Sequence, residues 1–403
     1  MIKKIRITGF KSLYDVTVEL EPVTVLVGRS GTGKSAFVQA VRFLRNYLLE
    51  PSQAGNVDGG WARLLSAGLD PVQLSLEITF AAGDEESDYV YLLSFVPIER
   101  AQLHGQFPVM EERLALGQDV LFHRRAGTRG RGWEWVTTPA VISPPKADIH
   151  LAISHLPSLE KVVYAYSALS SGIGYYNLPM TVCDRQPQYS DAVGQAHNTL
   201  NQHLSGLKDD GSNYLLVMRD IMRDFQHPNV RRGIQASLRQ LNASVLSVEL
   251  NSITSPQDAI VGHRVGPKTL DLKLSQESDG FRRFYAHLLA LYQVPPKLVN
   301  IFEEPENGVY LGALALLADE FKAAPATERG QVILTTHSPG LLDHFHVDCL
   351  RVVDIKDGRT IIGPVAEEQR EGIRENLLTT GELLTVDPAR VSTSEPSSEK
   401  ARA

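Results

Sequence analysis

Residues 23–35 constrain the fold of this chain more than any other stretch. Val23-Thr24-Val25-Leu26-Val27 is a short apolar run suited to a buried strand, and it stops at Gly28. From Lys34 onward Phe37, Val41, Leu44 and Leu48 recur at helical spacing, so a helix follows. Between the two, Gly28-Arg29-Ser30-Gly31-Thr32-Gly33-Lys34-Ser35 satisfies G-x-x-x-x-G-K-[ST] in full, on the strand-to-helix junction that this motif requires. Its glycines let backbone N–H groups converge on phosphate oxygens, and the helix N-terminus adds partial positive charge. In such a loop Lys34 neutralises the β and γ phosphates and Ser35 offers its hydroxyl to a magnesium ion. A fortuitous glycine-rich turn is the alternative, and it leaves the agreement of motif with both flanking elements unexplained.

The rest of the chain supplies a sheet for that strand to join. Ile5, Ile7 and Gly9 alternate, and Val72-Leu74-Leu76-Ile78-Phe80 and Tyr89-Tyr91-Leu93-Phe95 read as an antiparallel hairpin. Strand-like material continues to about Trp135, and Pro139 to Pro145 marks a boundary. Asp148 to about Asn242 is mostly helical, and two short strands flank Ser252 to Pro267. The helix Phe281 to Tyr292 then precedes the strand Leu298 to Phe302, the helix Gly312 to Lys322 and the strand Val332 to Thr336. This alternation predicts a parallel sheet that the P-loop strand completes. Past Leu384 the segment rich in Ser, Pro and charge reads as a disordered tail.

Two further segments carry chemistry. Leu298-Val299-Asn300-Ile301-Phe302-Glu303-Glu304 has the form of a Walker B strand ending in paired carboxylates, where Glu303 holds the magnesium shell and Glu304 faces an attacking water. Taken alone, the paired acids fit a solvated turn equally well, and the upstream P-loop favours the catalytic reading. Thr335-Thr336-His337-Ser338-Pro339 follows the next strand, placing His337 where it can contact the γ-phosphate or the water. A histidine at a strand end is ordinarily structural, and position alone lifts this one.

Together with Glu277-Ser278-Asp279-Gly280 and Glu303-Glu304-Pro305-Glu306-Asn307-Gly308, these motifs resemble the ABC-type ATPases of the RecF, SMC and OLD-nuclease group. More narrowly they are similar to prokaryotic predicted AAA-family ATPases, several of which are ATPase subunits of anti-phage systems. Ile7-Thr8-Gly9-Phe10-Lys11-Ser12-Leu13 resembles the family's first strand and turn, which implies Lys11 and Ser12 beside the nucleotide. Ser278, Asp279 and Gly280 resemble the signature, which implies that they meet the γ-phosphate held by a partner head. Ser-Asp-Gly is also a good helix cap, and both readings can hold together. Asp210-Gly211-Ser212-Asn213 is similar to a turn before a helix in the family's inserted lobe. The sequence departs from the family at Ser30, where Asn is usual, at Glu303, where Asp is usual, and at Val309-Tyr310-Leu311 in place of His-Pro. No glutamine is assigned to the family's Q-loop.

The resemblance implies an α/β fold: an ABC-type P-loop NTPase head with a mixed sheet, an antiparallel β lobe and an inserted mostly helical lobe. Its expected divisions are 1–140 and 246–384 for the head, 141–245 for the lobe and 385–403 for the tail. It further implies ATP and Mg2+ as ligands, ATP hydrolysis, ATP-dependent homodimers or higher oligomers, and control of a separate effector, with phage defence as the setting. A RecF-like ATPase acting directly on DNA is the first alternative, and an ATP-assembled scaffold with little turnover is the second. A P-loop kinase would leave Ser278-Asp279-Gly280 and His337 without a role. The absence of a long heptad run and of a Cys-x-x-Cys hook argues against an SMC-type arm.

Charge bears on the choice of partner. With 40 Lys plus Arg against 47 Asp plus Glu, the formal net charge of -7 offers no global attraction to DNA. A local patch is needed, and Arg124-Arg125-Ala126-Gly127-Thr128-Arg129-Gly130-Arg131 beside Trp133 and Trp135 is the strongest candidate, with an exposed hairpin tip the favoured alternative. Arg219, Arg223, Arg231, Arg232 and Arg239 read equally as a solvated helix face. Cys183 and Cys349, the two cysteines, suggest neither a disulfide framework nor a zinc site. No apolar run approaches the roughly 18 residues of a membrane span, so no membrane partner and a cytoplasmic location are expected.

Overall fold

A computed structural model describes residues 1–55, 60–69, 71–81, 83, 85–95, 109–126, 133–137, 151–154, 156, 159–184 and 206–392. β1 (Ile2–Phe10) and β2 (Leu13–Glu19) form a hairpin, and β3 (Val23–Val27) leads into the P-loop and the helix Lys34–Leu49. β4 (Ser75–Phe80), β5 (Tyr89–Phe95), β6 (Val109–Leu116), β7 (Asp119–Ala126) and β8 (Trp133–Thr137) extend that hairpin into a seven-stranded antiparallel sheet, in the order β2-β1-β4-β5-β6-β7-β8. The predicted hairpin is present, with Ile78 opposite Tyr91 and Phe80 opposite Tyr89. Its inward side chains pack on the P-loop helix, where Phe43 and Tyr47 meet Phe95 and Trp61. Aromatic packing of this kind fixes the helix, and with it the loop at its head.

β9 (Ile173–Tyr176) belongs to the second sheet, while β10 (Val245–Leu250), β11 (Ala259–Val265) and β12 (Lys268–Lys273) form a small antiparallel sheet of their own. β13 (Val299–Glu303), β14 (Gln331–Thr335), β15 (Leu350–Lys356) and β16 (Arg359–Gly363) complete the second sheet in the order β16-β15-β3-β14-β13-β9. It is parallel throughout except at β16. The N-terminal strand β3 thus lies between two strands from the other end of the chain. Leu26, Ile301 and Ile333 enter the core shared with the antiparallel sheet, whereas Val25, Phe302 and Leu334 enter the core under the helices. Burial on both faces explains why these strands read as continuous apolar runs.

Two expectations need correction. The stretch 141–245 was expected to stand apart as a helical lobe, but β9 pairs in parallel with β13 and so belongs to the head. Four residues are too few to show a period of their own between Gly172 and Pro179. The tail was expected from 385, yet the chain stays docked further on: Val391 bridges Val365, and Gln369 Nε2 donates to Asp387 and to the Pro388 carbonyl. Backbone pairing holds this segment despite its polar composition. The Pro139 to Pro145 boundary and the chain beyond 392 lie outside the described residues.

On the helical side, the helices Tyr214–Arg223 and Pro228–Leu241 pack against the helix Asp279–Tyr292, whose apolar residues are almost all buried. His287 is enclosed there against Phe302 and Phe321, its Nδ1 2.7 Å from the Arg283 carbonyl. Burial, reinforced by the nearby Arg283 charge, pushes its pKa from 6.5 down to about 3. The histidine is therefore neutral in the fold but protonates in the unfolded chain, so its contribution to stability is complete above pH 6.5 and is lost as pH falls toward 3. The expected slope is one proton, ~1.4 kcal/mol per pH unit. Melting curves between pH 7 and 4 check this: His287→Gln should flatten the acid decline, and an unchanged slope would remove His287 as its source.

Candidate functional site

The site forms where β3, β13 and β14 end together. Gly28 (φ 153) lies so close to β15 that a Cβ would stand 2.1 Å from the Val353 carbonyl oxygen. Gly33 (φ 114) would place one 2.5 Å from Thr360 Oγ1 and 2.9 Å from Ser12 Oγ. Both positions therefore demand glycine, for conformation and for space. Thr360 is a contributor that sequence reading missed: its hydroxyl donates to the Thr32 carbonyl at 2.7 Å and lies 2.8 Å from Ser12 Oγ. The β1–β2 turn and the β15–β16 hairpin are thereby tied to the underside of the loop. Lys11 takes a different course, its ammonium donating to Gln39 on the P-loop helix. Arg29, Ser30 and Gly31 form the exposed tip.

Lys34 is 5% exposed and donates to the carbonyls of Gly28 at 2.7 Å and Arg29 at 2.9 Å. Burial pushes its pKa from 10.5 down to about 8, against the raising influence of Glu304 and Glu306. Those two carboxylates come from the end of β13. Glu304 has φ 44, and its N–H donates to the Thr335 carbonyl at 3.1 Å, which turns the chain sharply at the strand end. Its Oε2 accepts from Asn307 Nδ2 at 2.8 Å, and its Oε1 lies 3.7 Å from His337 Nε2. Glu306, quoted in the motif but given no role from sequence, accepts from Thr336 Oγ1 at 2.7 Å and from the His337 N–H at 2.9 Å. It locks the two strand ends into one wall.

Glu303 is nearly fully buried. Its Oε2 accepts from Tyr175 Oη at 2.6 Å and Asn177 Nδ2 at 3.1 Å, while Oε1 has no protein partner. Burial raises its pKa, opposed by the Tyr175 and Ser35 hydroxyls and the Arg42 charge. Ser35 and Glu303 thus stand together as a hydroxyl and a carboxylate with one uncommitted oxygen. Mg2+ characteristically takes one or two such hard oxygen ligands together with substrate phosphates, and this donor set fits it. Tyr175 and Asn177 were not found from sequence, because β9 carries no recognisable motif.

Ser278 caps the helix Asp279–Tyr292, its Oγ accepting from the Phe281 N–H at 3.3 Å. Ser278 and Asp279 are exposed, and Gly280 packs under the turn after β13, where a Cβ would stand 3.0 Å from the Gly308 carbonyl oxygen. In the same helix Arg283 is buried, with Nη2 3.5 Å from the Glu304 carbonyl. The basic patch is altered by the fold. Arg124 is buried against Glu112, which also accepts from Tyr91 Oη and from the N–H groups of Ala152 and Ile153. It belongs to the core and is closed to phosphate. Arg125 is exposed beside Glu111, and residues 127–132 lie outside the described residues. Among the described residues no helix is long and apolar enough to cross a membrane.

Residues 1–103 match the family described as an AAA ATPase domain, and residues 191–343 match that described as "AAA domain, putative AbiEii toxin, Type IV TA system". No curated protein matches the chain significantly. Among solved structures, an SMC head bound to the C-terminal winged-helix domain of ScpA superposes with a TM-score of 0.54 at 14% identity, covering 91% of this chain and 99% of that one. An Smc head with an extended coiled coil, bound to the C-terminal domain of ScpA derived from Pyrococcus furiosus, gives 0.54 at 15% identity over 93% and 99%. These likenesses establish the ABC-type head fold. With AAA ATPase domain matches over residues 1–103 and 191–343 and this fold across nearly its whole length, the chain is similar in sequence to AAA-family ATPases and in fold to SMC heads.

Proposed function

We propose that the chain binds ATP with Mg2+ in the Gly28–Ser35 loop and hydrolyses it, and that pairs of heads close on ATP to control a separate effector. The observation that carries the reading is the convergence of a buried Lys34, a Ser35–Glu303 oxygen pair and the Glu304–His337 wall at one end of one sheet. Lys34 exchanges its carbonyl partners for β and γ phosphate oxygens, and the loop N–H groups close around them. Ser35 and Glu303 would hold a magnesium ion, which would neutralise charge building on the phosphates. Glu304 orients a water and takes its proton, and His337 stands beside it to sense the γ-phosphate. Ser278 and Gly280, at an exposed helix N-terminus, complete the site of the facing head.

The effector role draws support from the matched family's description as the AAA domain of a putative type IV toxin system, and from the SMC heads solved with a bound ScpA domain. Phage defence is the setting consistent with that description. A DNA-acting role finds less support, since Arg124 is committed to Glu112. Lys34→Ala tests the core of the reading. Removing one charge-assisted contact worth about 1.5–3 kcal/mol should weaken ATP about 10- to 100-fold, with little change in melting temperature. Titration of a fluorescent ATP analogue measures it, and wild-type affinity together with wild-type turnover would exclude the P-loop as the nucleotide site.

A further inference from the structure

The turn at 206–213 has no part in the chemistry described above, yet its Asp209 reaches the nucleotide site along two routes. Its carboxylate accepts from Arg45 Nη1 at 2.9 Å and Nη2 at 3.0 Å, and pairs with Arg42 Nε at 2.8 Å; both arginines belong to the P-loop helix. The Arg42 guanidinium lies over the Tyr175 ring, 4.7 Å from its centroid. The Asp209 backbone carbonyl accepts from the Asn177 N–H at 2.9 Å. One residue therefore fixes both groups that hold Glu303: Tyr175 through Arg42, and Asn177 directly. The turn is itself braced, with Asn213 accepting from the Lys208 N–H and donating to the Gly206 carbonyl, and the Leu207 N–H donating to Gln293.

Glu303 makes such bracing necessary. A glutamate side chain has one more rotatable bond than an aspartate and strays unless an oxygen is tied. Here Oε2 is tied twice and Oε1 is left for the ion. Partners one step removed from a metal set the orientation of its ligands, and their loss typically costs 10- to 100-fold in metal affinity. We propose that Asp209 and Tyr175 are positioning residues for the magnesium-linked carboxylate, so that the turn at 206–213 governs how much Mg2+ strengthens nucleotide binding. The proposal rests on the ATP reading given above.

The test is the gain in affinity for a fluorescent ATP analogue when EDTA is replaced by Mg2+, read for the wild type, Tyr175→Phe and Asp209→Asn. Tyr175→Phe removes one hydroxyl and keeps the ring beneath Arg42; Asp209→Asn keeps the backbone carbonyl. Affinity in EDTA should stay within about twofold of wild type in both, while the gain from Mg2+ falls about 10-fold. Binding of Mn2+ to the nucleotide complex, followed by electron paramagnetic resonance, should weaken in parallel. A melting curve controls for folding, and if Asp209→Asn does not fold, Tyr175→Phe decides. An undiminished gain in a folded Tyr175→Phe overturns the inference and leaves the ATP reading standing. Failure of the wild type to bind the analogue at all overturns the ATP reading first, and the two failures are thus distinguishable.

Discussion

Glu304→Gln should keep ATP and lose turnover by about 10²- to 10⁴-fold, the range over which a positioned general base contributes. The substitution is nearly isosteric. An amide oxygen still accepts from Asn307 Nδ2, and the backbone turn at φ 44, held by the Thr335 carbonyl, does not depend on the side chain. Lys34, Ser35 and Glu303 are untouched, so phosphate and metal contacts persist while the proton acceptor is gone. Phosphate release under single-turnover conditions and nucleotide retained through gel filtration measure the two halves. A normal rate would remove Glu304 as the water-positioning residue. Loss of binding instead would give Glu304 the metal.

Ser278→Arg should leave the ATP affinity of a single head nearly intact and reduce turnover by roughly 10³-fold, the upper range for deleting a preorganised donor from a transition-state site. Ser278 is exposed and its contact within the chain is the cap to Phe281 N–H, so its removal costs about 1 kcal/mol of stability. Ser278→Ala loses the same cap without adding charge and separates the two effects. Mixing Ser278→Arg with Lys34→Ala sharpens the test: one composite site of the heterodimer has an intact Lys34 and an intact Ser278. Partial recovery of ATPase activity is expected, and full activity of Ser278→Arg alone would leave the motif as a helix cap and nothing more.

What could be read in advance follows from how local each signal is. The P-loop, the paired acids and His337 each occupy a few consecutive residues after an apolar strand, so their spacing exposes them. Glu303's supports do not: Tyr175 and Asn177 come from a four-residue strand, and Asp209 acts from a turn whose resemblance pointed to a helix start. Thr360 escaped for the same reason, since its contact with Thr32 spans 328 positions. Arg124 shows the opposite failure. Its charge suggested a surface, and only the fold reveals Glu112 waiting beneath it with two backbone N–H donors. Polar residues in antiparallel strands look alike in sequence whether they face solvent or a buried partner.

The interleaving of β3 between β14 and β15 has a consequence for biogenesis. A strand that emerges early from the ribosome finds its two neighbours only after some three hundred further residues, and pairings of such high sequence separation are the slow steps of folding. Until then Val23, Val25 and Leu26 are apolar surface without a partner, the kind of exposure that invites misassembly. Because Thr360 braces the loop from below, the phosphate cradle reaches its final shape after the last strand has docked. A nascent chain would therefore carry its nucleotide motif long before it could close that motif on a ligand, and full nucleotide competence coincides with completion of the head.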